Sequence, residues 1–231
     1  PEHQKSNLRE TPWGKISYLE YRYKVEFERR EYDYIDRYCR EKPLFWTASP
    51  WDMPSLEFVL KYDIPFIKIP SAKLTENDFL KEASVSGRPL ILSTGMSTIE
   101  EIDKAVNLLE KHSSGDYILM HTNSTYPTLA EEINLLTINF LRERYNCVVG
   151  YSGHEYDLEP TVIAVALGAR VIERHVTLDH GMWGSDHFAS LEIHAMDMLY
   201  KRIKNIDLIL GDGVKKVTPN EKKIRKKLRG Y

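Results

Sequence analysis

The sequence is poor in the features that would assign a protein to a class at once. Of 231 residues only Cys39 and Cys147 are cysteines, far apart and in no C-x-x-C pair. That excludes a disulfide framework, and it makes a reducing, cytoplasmic setting the expectation. No apolar run approaches the roughly 18 residues that read as a bilayer span, and no signal-peptide core is visible. The formal net charge is -2, with 32 Lys and Arg against 34 Asp and Glu. With so little overall field, neither nucleic acid nor a membrane is expected as a partner. No G-x-G-x-x-G follows an apolar run, so a dinucleotide-binding fold has no support. Internal repeats and low-complexity linkers are absent as well.

What the chain has instead is alternation. Short apolar runs occur at Leu44–Ala48, Pro65–Ile69, Pro89–Leu92, Tyr117–Met120, Cys147–Gly150 and Arg170–Ile172. Each ends in small or polar residues and is short enough for a strand buried on both faces. Helical patterns lie between them: Tyr32, Ile35, Tyr38 and Cys39 share one face, as do Ile102, Val106 and Leu109. In a last helix Met196, Leu199, Ile203, Ile206 and Leu210 form a core-facing stripe. Ser97 or Thr98 is placed to cap a helix, Pro160 to open one and Gly168 to end it.

Strand and helix repeated in this way predict parallel strands joined by crossover helices. Six such units in a chain of this length point to an α/β protein of the TIM (β/α)8 type. Complete barrels usually need about 250 residues. The chain starts at Pro1 rather than methionine. The expectation is therefore a single barrel domain over residues 1–231, whose first strands lie outside this sequence. Residues 1–25 read as a long polar loop and 212–231 as a basic tail or solvated helix face. The Tyr-rich stretch before residue 35 reads as packing of a loop and helix onto the barrel.

In parallel barrels, reacting groups sit at the C-terminal strand ends. Those positions hold Ser49, Lys68 with Ser71, Ser93, then His121 with Ser124 and Tyr126, Ser152 with His154, and His175; Asp186 lies beyond. His154 and His175 close two consecutive strands, so their imidazoles can meet and hold a divalent ion. Singly, each reads equally as a hydrogen-bonded structural histidine. Lys68 interrupts an apolar strand, which is costly unless its ammonium meets an anion. A phosphate or carboxylate clamp and a buried salt bridge both satisfy that. The hydroxyls of Ser71, Ser93, Ser124 and Ser152 could serve the same anion, or be turn residues. For His121 the competing reading is a layer residue packed beneath the site.

Six runs in order carry a resemblance: KIPSAKL (68–74), ILSTGMST (91–98), HTNSTYP (121–127), VGYSGHE (149–155), ALGARVIERHVTLD (166–179) and GSDHFASLE (184–192). They resemble the catalytic barrel of the sialic acid synthases. TPWGKISYLEYRYKVEF and FWTASPWD look like one bacterial branch of that family. The resemblance implies an enzyme that joins phosphoenolpyruvate to N-acetylmannosamine or a related amino sugar and releases phosphate. It implies His154 and His175 as metal ligands and, with Lys68, as catalytic residues. Lys68, Ser71, Ser93, Ser124, Ser152 and Ser49 match phosphoenolpyruvate-binding positions, and Tyr126 and Asp186 sugar-binding ones. The implied cofactor is a divalent metal, manganese first, with magnesium or cobalt as alternatives, and the implied assembly is a homodimer. The family's first strands, with an acidic residue and a further lysine, have no counterpart here, nor does the small antifreeze-like domain of many relatives. G-S-D stands for the commoner G-P-D, and S-G-H-E for S-D-H. Two other readings stay open: another phosphoenolpyruvate-dependent aldolase on the same barrel, and a non-catalytic sugar- or phosphate-binding barrel.

Overall fold

The computed structural model describes residues 5–112 and 116–230. The chain opens with an antiparallel hairpin, β1 (Leu8–Thr11) and β2 (Gly14–Ser17), followed by helix α1 (Tyr18–Val25). This replaces the long polar loop expected before residue 26. Gly14, at φ +90°, gives the tight turn its left-handed residue. Ser17 and Glu20 close a capping box at the head of α1. Polar side chains on an exposed hairpin and helix hide the element, because no buried face imposes a period.

Helices α2 (Arg29–Glu41) and α3 (Met53–Val59) come next. Tyr32 of α2 packs edge-on to Phe58 of α3, with ring centroids 5.1 Å apart, while Tyr23 and Tyr34 of the same Tyr-rich stretch are exposed. Then follow β3 (Ile67–Ile69), α4 (Asn77–Val85), β4 (Leu90–Ser93), α5 (Ile99–His112) and β5 (Tyr117–Thr122). Two short helices, α6 (Ala130–Ile133) and α7 (Thr137–Tyr145), lead to β6 (Val148–Gly153), α8 (Glu159–Ala166) and β7 (Ile172–Arg174). A two-stranded parallel pair, β8 (Val176–Thr177) and β9 (Leu191–Glu192), precedes α9 (Ile193–Ile203), α10 (Ile206–Leu210) and α11 (Pro219–Arg229).

Among the described residues β3 to β7 form one parallel sheet in sequence order, a curled half-barrel that does not close. Local chemistry supports the units. Thr98 and Glu101 close a capping box on α5, through bonds of 2.8 and 3.3 Å. Gly168, at φ +105°, ends the turn after α8. The helix-facing side of the sheet is apolar: Ile67, Ile69, Leu90, Leu92, Leu119 and Val149 are buried among residues of α4, α5 and α7.

Two expectations fail here. Leu44–Ala48 has no regular secondary structure and pairs with no strand. Trp46 and Ala48 pack on the core, and one side-chain bond, Thr47 Oγ1 to the Phe66 carbonyl (2.9 Å), holds the segment beside β3. Its apolar pattern is thus met by packing without a ladder. The last helix breaks at Lys204–Asn205 into α9 and α10. Leu199 and Ile206 are buried, while Met196 and Leu210 lie open to solvent. The basic 212–231 stretch is, over its described part, an exposed helix (α11) behind a Thr218–Glu221 capping box.

Candidate active site

Residues paired across a parallel sheet point to the same face. Ser152 on β6 is opposite Glu173 on β7 and Thr122 on β5. Lys68 on β3 is opposite Ile91 on β4, two residues before Ser93. These residues lie on the face away from the helices, where Lys68, Ser93, Thr122, Ser152 and Glu173 make it polar toward the C-terminal strand ends. Lys68 Nζ donates to Ser93 Oγ at 2.8 Å and lies 3.5 Å from Glu173 Oε2. Ser152 Oγ donates to Glu173 Oε1 at 2.9 Å. Lys68, Ser93 and Ser152 are buried. Burial pushes the Lys68 ammonium below the ordinary lysine range, and the Glu173 carboxylate opposes that shift. An ammonium held so is paired but not saturated, and it can still take an incoming anion.

A second group closes the mouth. The Gly95 N–H donates to Ser71 Oγ at 3.1 Å. A Cβ on Gly95 would collide with the hydroxyls of both Ser71 and Ser124, so three strand-end loops meet at that glycine.

The third group is built on the histidines. β6 and β7 share their last rung at Gly153 and Arg174. His154 and His175 are therefore the first residues past it, side by side, with ring centroids 5.3 Å apart. Tyr126 lies on the His154 ring at 4.1 Å and edge-on to His175 at 5.4 Å. His154 Nδ1 is 2.6 Å from the Asn123 carbonyl, to which it must donate, leaving Nε2 with a free lone pair. Burial first, and then the neighbouring His175, lower the His154 pKa and keep it neutral. Asp186 Oδ2 stands 3.9 Å from His175 Nδ1. Burial, with the Asp186 and Glu173 charges, raises the Tyr126 pKa.

Of the residues expected from the sequence, the structure brings together Lys68, Ser93 and Ser152, then Ser71 with Ser124, and then His154, His175, Tyr126 and Asp186. Ser49 is exposed, and none of the hydrogen bonds or ion pairs described above involves it. His121 has a structural role, bonding the Ile133 carbonyl at 2.7 Å, but it does so on the helix-facing side of the sheet and not in a layer beneath the site. Glu173 was not anticipated. Its signal was present, an acid one place from an apolar strand, but the strand was read as ending at Ile172.

No group of three or more His, Cys, Asp or Glu able to hold a metal exists among the described residues. The donor set is two imidazoles with open positions, one of them, His154, oriented by a carbonyl as metal-bound histidines are. It fits a divalent ion that completes its shell with water and substrate oxygens. Surface cavities of about 580 Å³ beside Trp51 and Lys73, and about 240 Å³ beside Tyr156 and Arg202, lie apart from these groups. No helix among the described residues is long and apolar enough to cross a membrane.

Residues 1–215 match the NeuB family model. The chain belongs to the NeuB family. It is 40% identical over 197 residues to N-acetylneuraminate-9-phosphate synthase of Drosophila melanogaster, covering 85% of this chain and 53% of that protein. It is 34% identical over 202 residues to N,N'-diacetyllegionaminic acid synthase of Campylobacter jejuni, covering 87% and 60%. Among solved structures, the N-acetylneuraminic acid (sialic acid) synthetase of Leptospira borgpetersenii, in complex with citrate, superposes with a TM-score of 0.80 at 31% identity. That match covers 88% of this chain and 72% of the other. The chain thus spans a little over half the length of the curated relatives it matches.

Proposed function

We propose that this NeuB-family chain carries the catalytic half-barrel of a nonulosonic acid synthase, which condenses phosphoenolpyruvate with N-acetylmannosamine or a related amino sugar. The observation that carries the reading is the convergence of a buried, incompletely paired Lys68 and two serine hydroxyls beside two adjacent histidines. An anion and an aldehyde oxygen need those two kinds of partner next to each other.

Lys68, Ser93 and Ser152 hold the phosphate or carboxylate of phosphoenolpyruvate, with Ser71, Ser124 and the Gly95 loop closing over it. Glu173 occupies the same hydroxyl and ammonium partners in the free chain, so it shares or yields them on binding. Tyr126 and Asp186 border the histidines and orient the sugar. His154 and His175 would hold a divalent ion, manganese before magnesium or cobalt, which when bound would supply Lewis acidity to the aldehyde oxygen. The enol carbon of phosphoenolpyruvate forms a bond to the aldehyde carbon, and water adds at the phosphate-bearing carbon. Phosphate then leaves with its C–O bond electrons. The contribution of the protein is mainly positioning of two substrates and stabilisation of fixed negative charge.

The test is phosphate release from phosphoenolpyruvate with manganese and N-acetylmannosamine, or a diamino analogue, using the full reading frame. Release that needs both metal and sugar is the expected result. His154→Ala and His175→Ala are each expected to reduce it by roughly a thousandfold, the several kcal/mol that a Lewis acid supplies. Release unaffected by chelation would reject the metal role. Silence with every sugar would reject the synthase.

A further inference from the structure

Behind the histidines, on the helix-facing side, lies a sealed ion pair that the proposed chemistry does not use. Glu155 directly follows His154, and Arg174 directly precedes His175. The side chains of Arg174 and Glu155 are only 2% and 4% exposed, and Arg174 Nη1 lies 3.0 Å from Glu155 Oε1. The carboxylate also accepts from Tyr151 OH at 2.8 Å and from Thr161 Oγ1 at 3.1 Å. The guanidinium donates to the backbone carbonyls of Glu155, at 2.5 Å, and Asp157, at 3.3 Å. It also donates to Thr161 Oγ1 in the first turn of α8, at 2.9 Å. Arg174 Nε is buried with no partner among the described residues. One side chain of β7 therefore fastens the whole connection from β6 to α8, which carries His154 past the end of the ladder.

The connection has a steric condition. A Cβ on Gly153 would lie 2.7 Å from both carboxylate oxygens of Glu155 and 2.9 Å from Tyr151 Cε1. The Glu155 carboxylate fills the space of a side chain at 153. Carboxylate oxygens sit only two bonds beyond a Cβ, so an aspartate at 153 could place its own carboxylate in that space, provided Glu155 is gone.

We propose that Gly153, Glu155 and Arg174 form a positioning unit, in which one buried carboxylate, bound by Arg174, sets His154 against His175. The inference rests on the two-histidine reading of the site, and its test reads ion binding rather than turnover. The unit needs one carboxylate in the pocket, and either backbone position can supply it.

The experiment titrates the untagged chain with Co(II), followed by visible absorption, with thermal unfolding recorded for every variant. His154→Ala serves as the control that uptake reports this site. Glu155→Ala is expected to weaken Co(II) binding by about tenfold or more, in the range that outer partners of metal ligands command. Gly153→Asp alone is expected to weaken it too, because two carboxylates then compete for one space. Gly153→Asp with Glu155→Ala is expected to recover most of the loss. Since an unpaired Arg174 could unfold the chain, Arg174→Met with Glu155→Leu removes both charges at similar volume. That pair should fold like the parent and still bind Co(II) about tenfold more weakly. Parent-like affinity in the folded Met/Leu variant, or no recovery in a folded Asp/Ala variant, would overturn the proposal. So would a parent chain that takes up no Co(II). Co(II) uptake with the expected variant pattern, but no phosphate release with any sugar, would reject the synthase and leave the positioning unit standing.

Discussion

Two ion pairs lie back to back at the end of the sheet, on opposite faces of β7. Glu173 points inward to Lys68, and Arg174 points outward to Glu155. The outer pair is closed off from solvent, with donors and acceptors matched on almost every side. In the inner pair Glu173 is 42% exposed, and Lys68 has one short bond, to a serine hydroxyl. A sealed pair, with only Arg174 Nε unpartnered among the described residues, is out of reach of a ligand, so its effect is to fix geometry. An unsaturated one keeps an ammonium and two hydroxyls available. The same strand thus supplies registry on one face and binding capacity on the other.

The sharpest way to break this contrast is to remove one cation from each pair. Arg174→Ala leaves a buried carboxylate uncompensated and is expected to cost about 3–5 kcal/mol in denaturant unfolding. Lys68→Met leaves only a half-exposed carboxylate. It should change stability by less than about 1 kcal/mol while raising the phosphoenolpyruvate requirement roughly 10- to 100-fold, as loss of a charge-assisted bond does. Equal destabilisation by the two substitutions would erase the distinction.

The histidines give a smaller, graded test. His121 on the outer face and His154 at the inner mouth both have pKa values lowered, first of all by burial. Between their folded values and the ordinary value near about 6.5 the unfolded chain binds more protons. Stability is therefore complete above that value and is lost as pH falls through the folded ones, by at most about 1.4 kcal/mol per pH unit for each histidine. Melting temperatures measured downward from neutral pH should show the decline, and His121→Phe should flatten it by one histidine's share. A slope of the opposite sign would contradict the burial of both rings. Smallest of all, Gly95→Ala should raise the phosphoenolpyruvate requirement a few-fold, about 1 kcal/mol, since the Ser71 and Ser124 hydroxyls must turn aside. Unchanged kinetics would place those serines outside the anion site.

Much of this was legible in the chain. Lys68 stood out because it interrupts a short apolar run, and Ser93, Ser152, His154 and His175 because they follow such runs, which in series mean parallel strands. Ser97-Thr98 and Gly168 marked helix ends by chemistry that acts within a few residues, and the structure assigns the first cap to Thr98. Glu173 and Arg174 were passed over, because two charges after Ile172 look like the start of a loop. They belong to the strand because each charge finds a partner on its own face. The hairpin at 8–17 was hidden for the converse reason, being exposed and so free of any burial pattern.

The sequence by itself determined the alternation of strand and helix from β3 to β7, helix ends such as those at Thr98 and Gly168, and the polar residues at the strand ends, since all of these depend on neighbours within a turn or two. Only the tertiary structure decided that Lys68 meets Glu173, more than a hundred positions away, and that Glu155 meets Arg174 behind the histidines. Those partners depend on strand register and on which face each side chain takes. A shift of one residue would reverse both.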